Sequence, residues 1–314
     1  MTLLKTKRQV FLEEMEKAIP WGTFSEILNK HYKKTSTVGR PKKELILMLK
    51  FYFLQQWYNL GDREVEEFVA DSKAFRDFTG LEMVPLDNGD FFVDCPDETT
   101  ILRFRHFLEE SKLQEKLFER VNKIFKEKGY IHKEGTIVDS TIVKASSSTK
   151  NKDKKRDTDM KSTKKNNNFF FGAKSHIGVD AIGGLVHSLV FTSANISDKT
   201  MLYNCLHGKE TYLFADKGYI GKKDKKKWRN EGKYWGILDK GSKHKKLSKS
   251  QEKRNKQLSS VRSKVEHPFK IIKFQWGHCK VRYKGLAKNK AQWFALCMLH
   301  NIYKIRKELA VNPI

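Results

Sequence analysis

The sequence predicts an α/β fold, a mixed sheet flanked by helices and preceded by an all-α N-terminal domain. Two changes along the chain predict it. Apolar residues recur at helical spacing through residues 1–130 and switch to strand-like alternation from Gly135. Charge changes at the same place: residues 1–130 hold 22 Lys+Arg and 22 Asp+Glu, whereas residues 131–314 hold 41 against 15. The whole net charge of +26 therefore lies in the second part. The expected domains are 1–130, helical, and 131–314, built on the sheet.

In the first part, Leu45, Leu49, Tyr52 and Phe53 mark one helix, and Leu102, Phe107, Leu113, Leu117, Val121 and Ile124 mark another. Asn59-Leu60-Gly61-Asp62 breaks the pattern, with Asp62 an expected N-cap and Val65, Phe68 and Val69 the next apolar face. That segment reads either as a helix-turn-helix or as an ordinary helical hairpin, and it lacks a basic second helix. Gly39-Arg40-Pro41-Lys42-Lys43 reads as a solvated linker, with Arg40 in a minor groove as the alternative. Pro96-Asp97-Glu98-Thr99-Thr100 supplies caps for one long helix to about residue 129.

In the second part, Thr136 to Val143, Lys174 to Ala181, Leu185 to Ala194 and Thr211 to Ala215 read as strands. Ile182-Gly183-Gly184 makes the middle two a hairpin. Asp198 is expected to cap a helix to about Leu206, and Tyr234-Trp235-Gly236-Ile237-Leu238 is a further strand after a Lys-rich helix. Strand, hairpin, helix, strand, helix, strand, helix is the order of a ribonuclease-H-like mixed sheet. Residues 146–168 are polar, Lys-rich and nearly free of aliphatics, so they are expected to form a mobile basic insertion ordered only by phosphates. Phe169-Phe170-Phe171 reads as a strand start filling the core, in preference to stacking on unpaired bases.

Length and composition bound the function. A chain of 314 residues that is 39% hydrophobic, with 21 Phe, 10 Tyr and 6 Trp, supports a large core and excludes wholesale disorder. No uncharged apolar stretch approaches the roughly 20 residues of a membrane helix. The expected setting is cytoplasmic and nucleoid-associated, with no membrane partner. Cys95, Cys205, Cys279 and Cys297 form no C-x-x-C pair, the histidines lack metal-ligand spacing, and His187 reads as a strand residue. Clustered Lys and Arg gain from counterion release on a polyanion, which makes double-stranded DNA the expected partner.

Acids are scarce in this basic half, so the placed ones stand out. Asp139 ends Ile137-Val138, Asp216 ends Leu213-Phe214-Ala215, and Glu266 lies in a Lys/Arg-rich helix that Val261, Val265, Phe269 and Ile272 pack on the sheet. A carboxylate closing an apolar run is costly without a partner, and three hard oxygen donors suit Mg²⁺, with Mn²⁺ as a substitute. Two ions about 3.5–4 Å apart would clamp an in-line phosphoryl displacement. Arg262 and Lys273 flank Glu266 on its helix face and are expected on DNA phosphates. Pro268 is expected to kink or divide that helix.

These residues resemble the DDE transposases of bacterial insertion sequences, specifically the insertion-sequence-five family. Asp139-Ser140-Thr141 resembles the first-Asp motif, Asp216-Lys217-Gly218-Tyr219 is similar to the D-x-G-Y second-Asp motif, and Arg262, Glu266 and Lys273 match a tyrosine-arginine-glutamate-lysine signature. Ser259 stands where that signature carries tyrosine. Arg156-Asp157 with Met160, His176-Ile177-Gly178-Val179-Asp180 and Val281-Arg282-Tyr283-Lys284-Gly285-Leu286 also resemble family segments.

The resemblance implies Asp139, Asp216 and Glu266 as catalytic metal ligands, cleavage at terminal inverted repeats, strand transfer into target DNA, and action as a homodimer or higher homo-oligomer on DNA. The expected DNA contacts are Arg262, Lys273, Lys154, Lys155, Arg156, Lys164, Lys165, Lys245 and Lys246. The alternative is a transposase-derived DNA-binding protein without catalysis, a repressor or architectural factor.

Overall fold

The computed structural model of the chain describes residues 4–32, 43–152, 154–242 and 244–311. It divides into two compact units, Met1–Phe118 with Met298–Ile314, and Glu119–Cys297. The second unit thus begins ahead of residue 130, and residues from 298, expected with the sheet, group with the helical unit.

In the first unit, Thr6 opens α1 (Lys7–Ala18) with a reciprocal cap. Gln9 N donates to the Thr6 hydroxyl at 3.2 Å, and Thr6 N donates to the Gln9 side chain at 2.9 Å. After α2 (Trp21–His31) comes α3 (Leu45–Tyr58), apolar nearly all round and buried at every residue from Phe51 to Trp57. It stops at Asn59, whose φ of 53° is a left-handed conformation that Asn tolerates. Asp62 is not the N-cap: α4 (Asp62–Asp71) starts from Gly61. The Asp62 carboxylate instead pairs with Arg105 at 2.9 Å and accepts from Gln55 at 2.8 Å. Asp62, Glu64, Glu66, Glu67 and Asp71 make α4 acidic, which argues against its lying on phosphates and favours the helical hairpin. The minor-groove candidate Arg40 lies outside the described residues.

Beyond α5 (Lys73–Thr79) and a small ribbon of β1 (Val84–Pro85) with β2 (Phe91–Phe92), Asp97 caps α6 (Glu98–Glu110) by accepting from Thr100 N at 2.7 Å. The single helix expected to residue 129 is two. Lys112, with φ 52°, turns the chain before α7 (Leu113–Glu127), and neither Gly nor Pro announces that turn.

The second unit holds the sheet: β3 (Gly135–Lys144), β4 (Lys161–Lys165), β5 (Asn168–Asp180), β6 (Val186–Ser193), β7 (Tyr212–Ala215) and β8 (Tyr234–Ile237). Its strand order is β4-β5-β3-β7-β8, with β6 also on β5. β4 pairs the first residues of β5 and β6 pairs the rest, from Ala173 to Val179. Leaving β4 aside, the order is third, second, first, fourth, fifth, with β3 antiparallel to β5 and parallel to β7, and β7 parallel to β8. That is the ribonuclease-H-like sheet the sequence predicts. Val138, Leu213, Ala215, Trp235 and Ile237 bury one face together with Cys205, Tyr219 and Trp228. The opposite face carries Ile137 and Asp139, and α9 (Lys249–Lys270) lies against β3 and β7.

The second unit departs from the sequence expectations at four places. The helix expected after Asp198 is two short 3₁₀ turns, Asp198–Met201 and Tyr203–Cys205, and Asp198 pairs with Lys174 at 3.0 Å in place of a cap. Pro268 does not divide α9, which runs on to Lys270; a π-helical turn, Ile271–Gln275, follows it. Residues 146–168 are not uniformly without structure, since 161–165 form β4. Met160 is buried, and Asp157 and Asp159 accept from Gly285 N (2.7 Å) and Leu286 N (3.1 Å) at the start of α10 (Leu286–Lys304). Phe169 is 75% exposed, so the aromatic run does not fill the core. Its strand outruns β6, and on that edge the run is paired by the polar β4. Among the described residues, no helix is long and apolar enough to cross a membrane.

Candidate active site

The parallel register of β3 and β7 places the two aspartates. The last paired residues are Val138 and Ala215, so the next residues along the two strands are Asp139 and Asp216. Asp216 remains extended, with φ −77° and ψ 174°. Neighbouring strands lie about 4.8 Å apart, and residues in parallel register point to the same face. Both carboxylates therefore leave the sheet side by side, on the face opposite the buried Val138 and Ala215.

Each aspartate is fixed by the backbone that follows it. Ser140 N donates to Asp139 Oδ1 at 2.8 Å, and Gly218 N donates to Asp216 Oδ1 at 2.7 Å across a short 3₁₀ turn. A Cβ at position 218 would sit 2.8 Å from that same oxygen, so a side chain there would push the carboxylate out of this position.

Asp139 is short of positive charge. Burial raises its pKa to about 6, and Asp216 adds to the rise, while Ser140 N–H, Arg262 and Lys165 pull the other way. Arg262 stands 3.6 Å from Asp139 Oδ2, too long for a hydrogen bond, and its Nε is buried with no hydrogen-bond partner. Two adjacent carboxylates with a single guanidinium beside them, at ion-pair range and not hydrogen-bonded, have the donor chemistry of a hard divalent cation site.

The helix supplies the other charges. On α9, Arg262 and Glu266 are one turn apart, and Lys273 follows in the π-helical turn. Lys273 Nζ donates to Thr141 Oγ1 at 2.9 Å and to the Ile142 carbonyl at 3.0 Å. The ends of this stripe thus meet β3 near Asp139. Glu266 lies between them and is exposed. Among the described residues, no three His, Cys, Asp or Glu side chains are gathered as a metal cluster, so Glu266 does not close a triad with the two aspartates here.

Residues 131–302 match the family model for the transposase DDE domain, and residues 3–107 match the model for a transposase domain (DUF772). The chain belongs to the DDE transposases. No solved structure matches it significantly.

The transposase distributes its expected DNA contacts unevenly. Arg262 is at the carboxylate pair. Lys165 lies within electrostatic range of both Asp139 and Lys273. Lys154, Lys155, Arg156 and Lys164 are exposed in or beside the β4–β5 hairpin, and Lys245 and Lys246 are exposed ahead of α9. Lys273 has a structural task the sequence does not reveal: two of its hydrogen bonds go to β3, and burial, with Lys165 and Lys144 nearby, holds its pKa below the usual lysine value. Lys273→Ala should therefore lower stability by about 1–2 kcal/mol as well as impair DNA processing. An unchanged melting curve in chelator would leave Lys273 with a phosphate role only.

Sequence reasoning missed a polar layer behind the pair. Ser140 is the register partner of the buried His176, whose Nε2 lies 3.0 Å from Thr192 Oγ1. Tyr219, from the second-Asp motif, is 1% exposed, and its hydroxyl is buried close to Ser140 and Asp139. Burial, and then Asp139, push its pKa well up. The only sequence signal was the presence of Tyr219 and His176 in segments similar to family motifs.

Proposed function

We propose that this transposase cuts DNA at the terminal inverted repeats of its own element and joins the freed ends to target DNA. Asp139 and Asp216, with Glu266 from α9, hold the metal ions, two Mg²⁺ or Mn²⁺ in their place. Bound metal supplies Lewis-acid stabilisation of the attacking and leaving oxygens. The observation that carries the reading is the adjacency of Asp139 and Asp216 on one face of parallel strands, beside Arg262.

The chain's own residues bind and orient. Arg262, with an unpartnered Nε beside the carboxylates, takes a non-bridging oxygen of the scissile phosphate. Lys273 fixes the helix that carries Glu266 to β3 and leaves one ammonium donor for the same phosphate. Lys165 and the exposed lysines hold the flanking backbone. In cleavage, water adds to phosphorus and the bond to the 3′ oxygen breaks, leaving a 3′ hydroxyl and a 5′ phosphate. In joining, that 3′ hydroxyl adds to a target phosphorus and the target strand's 3′ oxygen leaves. A homodimer or higher homo-oligomer holds the two ends together, in the cytoplasm at the nucleoid.

The test incubates the protein and Mg²⁺ with candidate element ends and a target plasmid, and scores cut and joined products. Joined products support the full reading, cutting alone reduces it to a nuclease, and binding with neither product supports a non-catalytic DNA-binding protein.

A further inference from the structure

The β4–β5 hairpin has features that phosphate binding alone does not require. Asn166 (φ 48°) and Asn167 (φ 62°) form a two-residue turn with both residues left-handed, which matches strand twist and fixes the hairpin register. In that register Lys164 stands opposite Phe169, Thr163 opposite Phe170 and Ser162 opposite Phe171. Each ring of the run has a cation over it. Lys164 Nζ lies 5.6 Å from the centroid of Phe169, Lys144 Nζ 5.4 Å from Phe170, and Arg156 5.5 Å from Phe171. Phe169 is 75% exposed near the tip.

An exposed ring on a rigid, lysine-rich hairpin has one natural counterpart in nucleic acid. A paired base inside a duplex has both faces stacked and offers none to a side chain, whereas an unpaired base does. Position adds to this, because Lys144, whose ammonium lies over Phe170, ends the same strand that carries Asp139, and Lys273 bonds Thr141 between them. DNA held at the carboxylate pair is therefore within reach of the hairpin. We propose that Phe169 stacks on an unpaired base beside the phosphate held at Asp139 and Asp216, while Lys144, Lys164 and Lys165 hold the adjoining backbone. The placement beside that phosphate rests on the DNA-cleavage reading above; the affinity of the hairpin for an unpaired base does not.

The test uses the full chain in chelator, so that no cutting intervenes, with a fluorescent oligo-dT strand of about 20 nucleotides and a duplex of equal length, a span covering a typical single-strand site. Phe169→Ala should weaken single-strand binding about tenfold and duplex binding less than about twofold. Phe169→Trp should restore single-strand affinity, and Phe169→Leu, apolar without a π face, should not. Three outcomes overturn the proposal: unchanged single-strand affinity in Phe169→Ala, equal loss on both probes, or altered self-association with unchanged DNA binding, which would make the hairpin a protein contact. A chain that binds the single strand as expected yet never cuts element ends sinks the cleavage reading, and with it the placement beside the phosphate, and leaves the hairpin's affinity for an unpaired base standing.

Discussion

Asp139→Asn and Asp216→Asn each lower the rate of element-end cleavage by at least about 10³-fold, with DNA affinity nearly unchanged, because they remove charge from the reacting centre and leave the basic surface intact. The double variant is scarcely worse than either single one, since side-by-side ligands act as one unit. In the proposed reading Glu266→Gln does the same, although Glu266 stands exposed on α9. Single-turnover cleavage on labelled end DNA, beside a binding isotherm in chelator, separates the two quantities. Normal cutting by any one variant removes that residue from the ligand set.

The second large effect is on stability. The pKa of Asp139 is raised to about 6 in the folded chain, chiefly by burial, against an ordinary value of 3.8. A raised carboxylate contributes its stability at pH below the unfolded value and loses it as pH rises through the folded one. Ionised Asp139 is therefore a liability above pH of about 6. In chelator, Asp139→Asn should be more stable than wild type at pH 8 by roughly 2–3 kcal/mol, because each pH unit between the folded and ordinary pKa is worth about 1.4 kcal/mol, and the difference should shrink below about pH 4. Mg²⁺ should then stabilise wild type and leave Asp139→Asn unmoved, because only wild type offers the full charge to the ion. Thermal unfolding across pH, with and without Mg²⁺, checks both statements. Identical curves for the two proteins would mean that Asp139 is not desolvated.

Much of this site is legible in the sequence because each aspartate ends an apolar run. Alternation in Thr136 to Val143 and Thr211 to Ala215 identifies strands, and an acid at the end of such a strand signals its own cost. The in-register pairing of β3 with β7 is a long-range fact that no local pattern carries. Other features were hidden for local reasons. β4 is Lys-Ser-Thr-Lys-Lys, with no apolar residue to betray a strand, so it reads as disorder. Three phenylalanines in a row read as core, because sequence does not show that β5 outruns β6. The break at Lys112 and the caps that Asp157 and Asp159 give α10 depend on tertiary geometry, since each residue alone is compatible with several conformations.

Metal-directed scission of the chain tests most directly whether a metal sits between β3, β7 and α9, as proposed. With Fe²⁺ in place of Mg²⁺ and ascorbate with peroxide added, hydroxyl radicals cut the backbone closest to the bound ion, and mass spectrometry reads the new ends. Cuts near Asp139, Asp216 and Glu266, competed by Mg²⁺ and lost in the Asp139→Asn, Asp216→Asn double variant, are the predicted result. Cuts elsewhere in the chain, or the same cuts in the double variant, would contradict it.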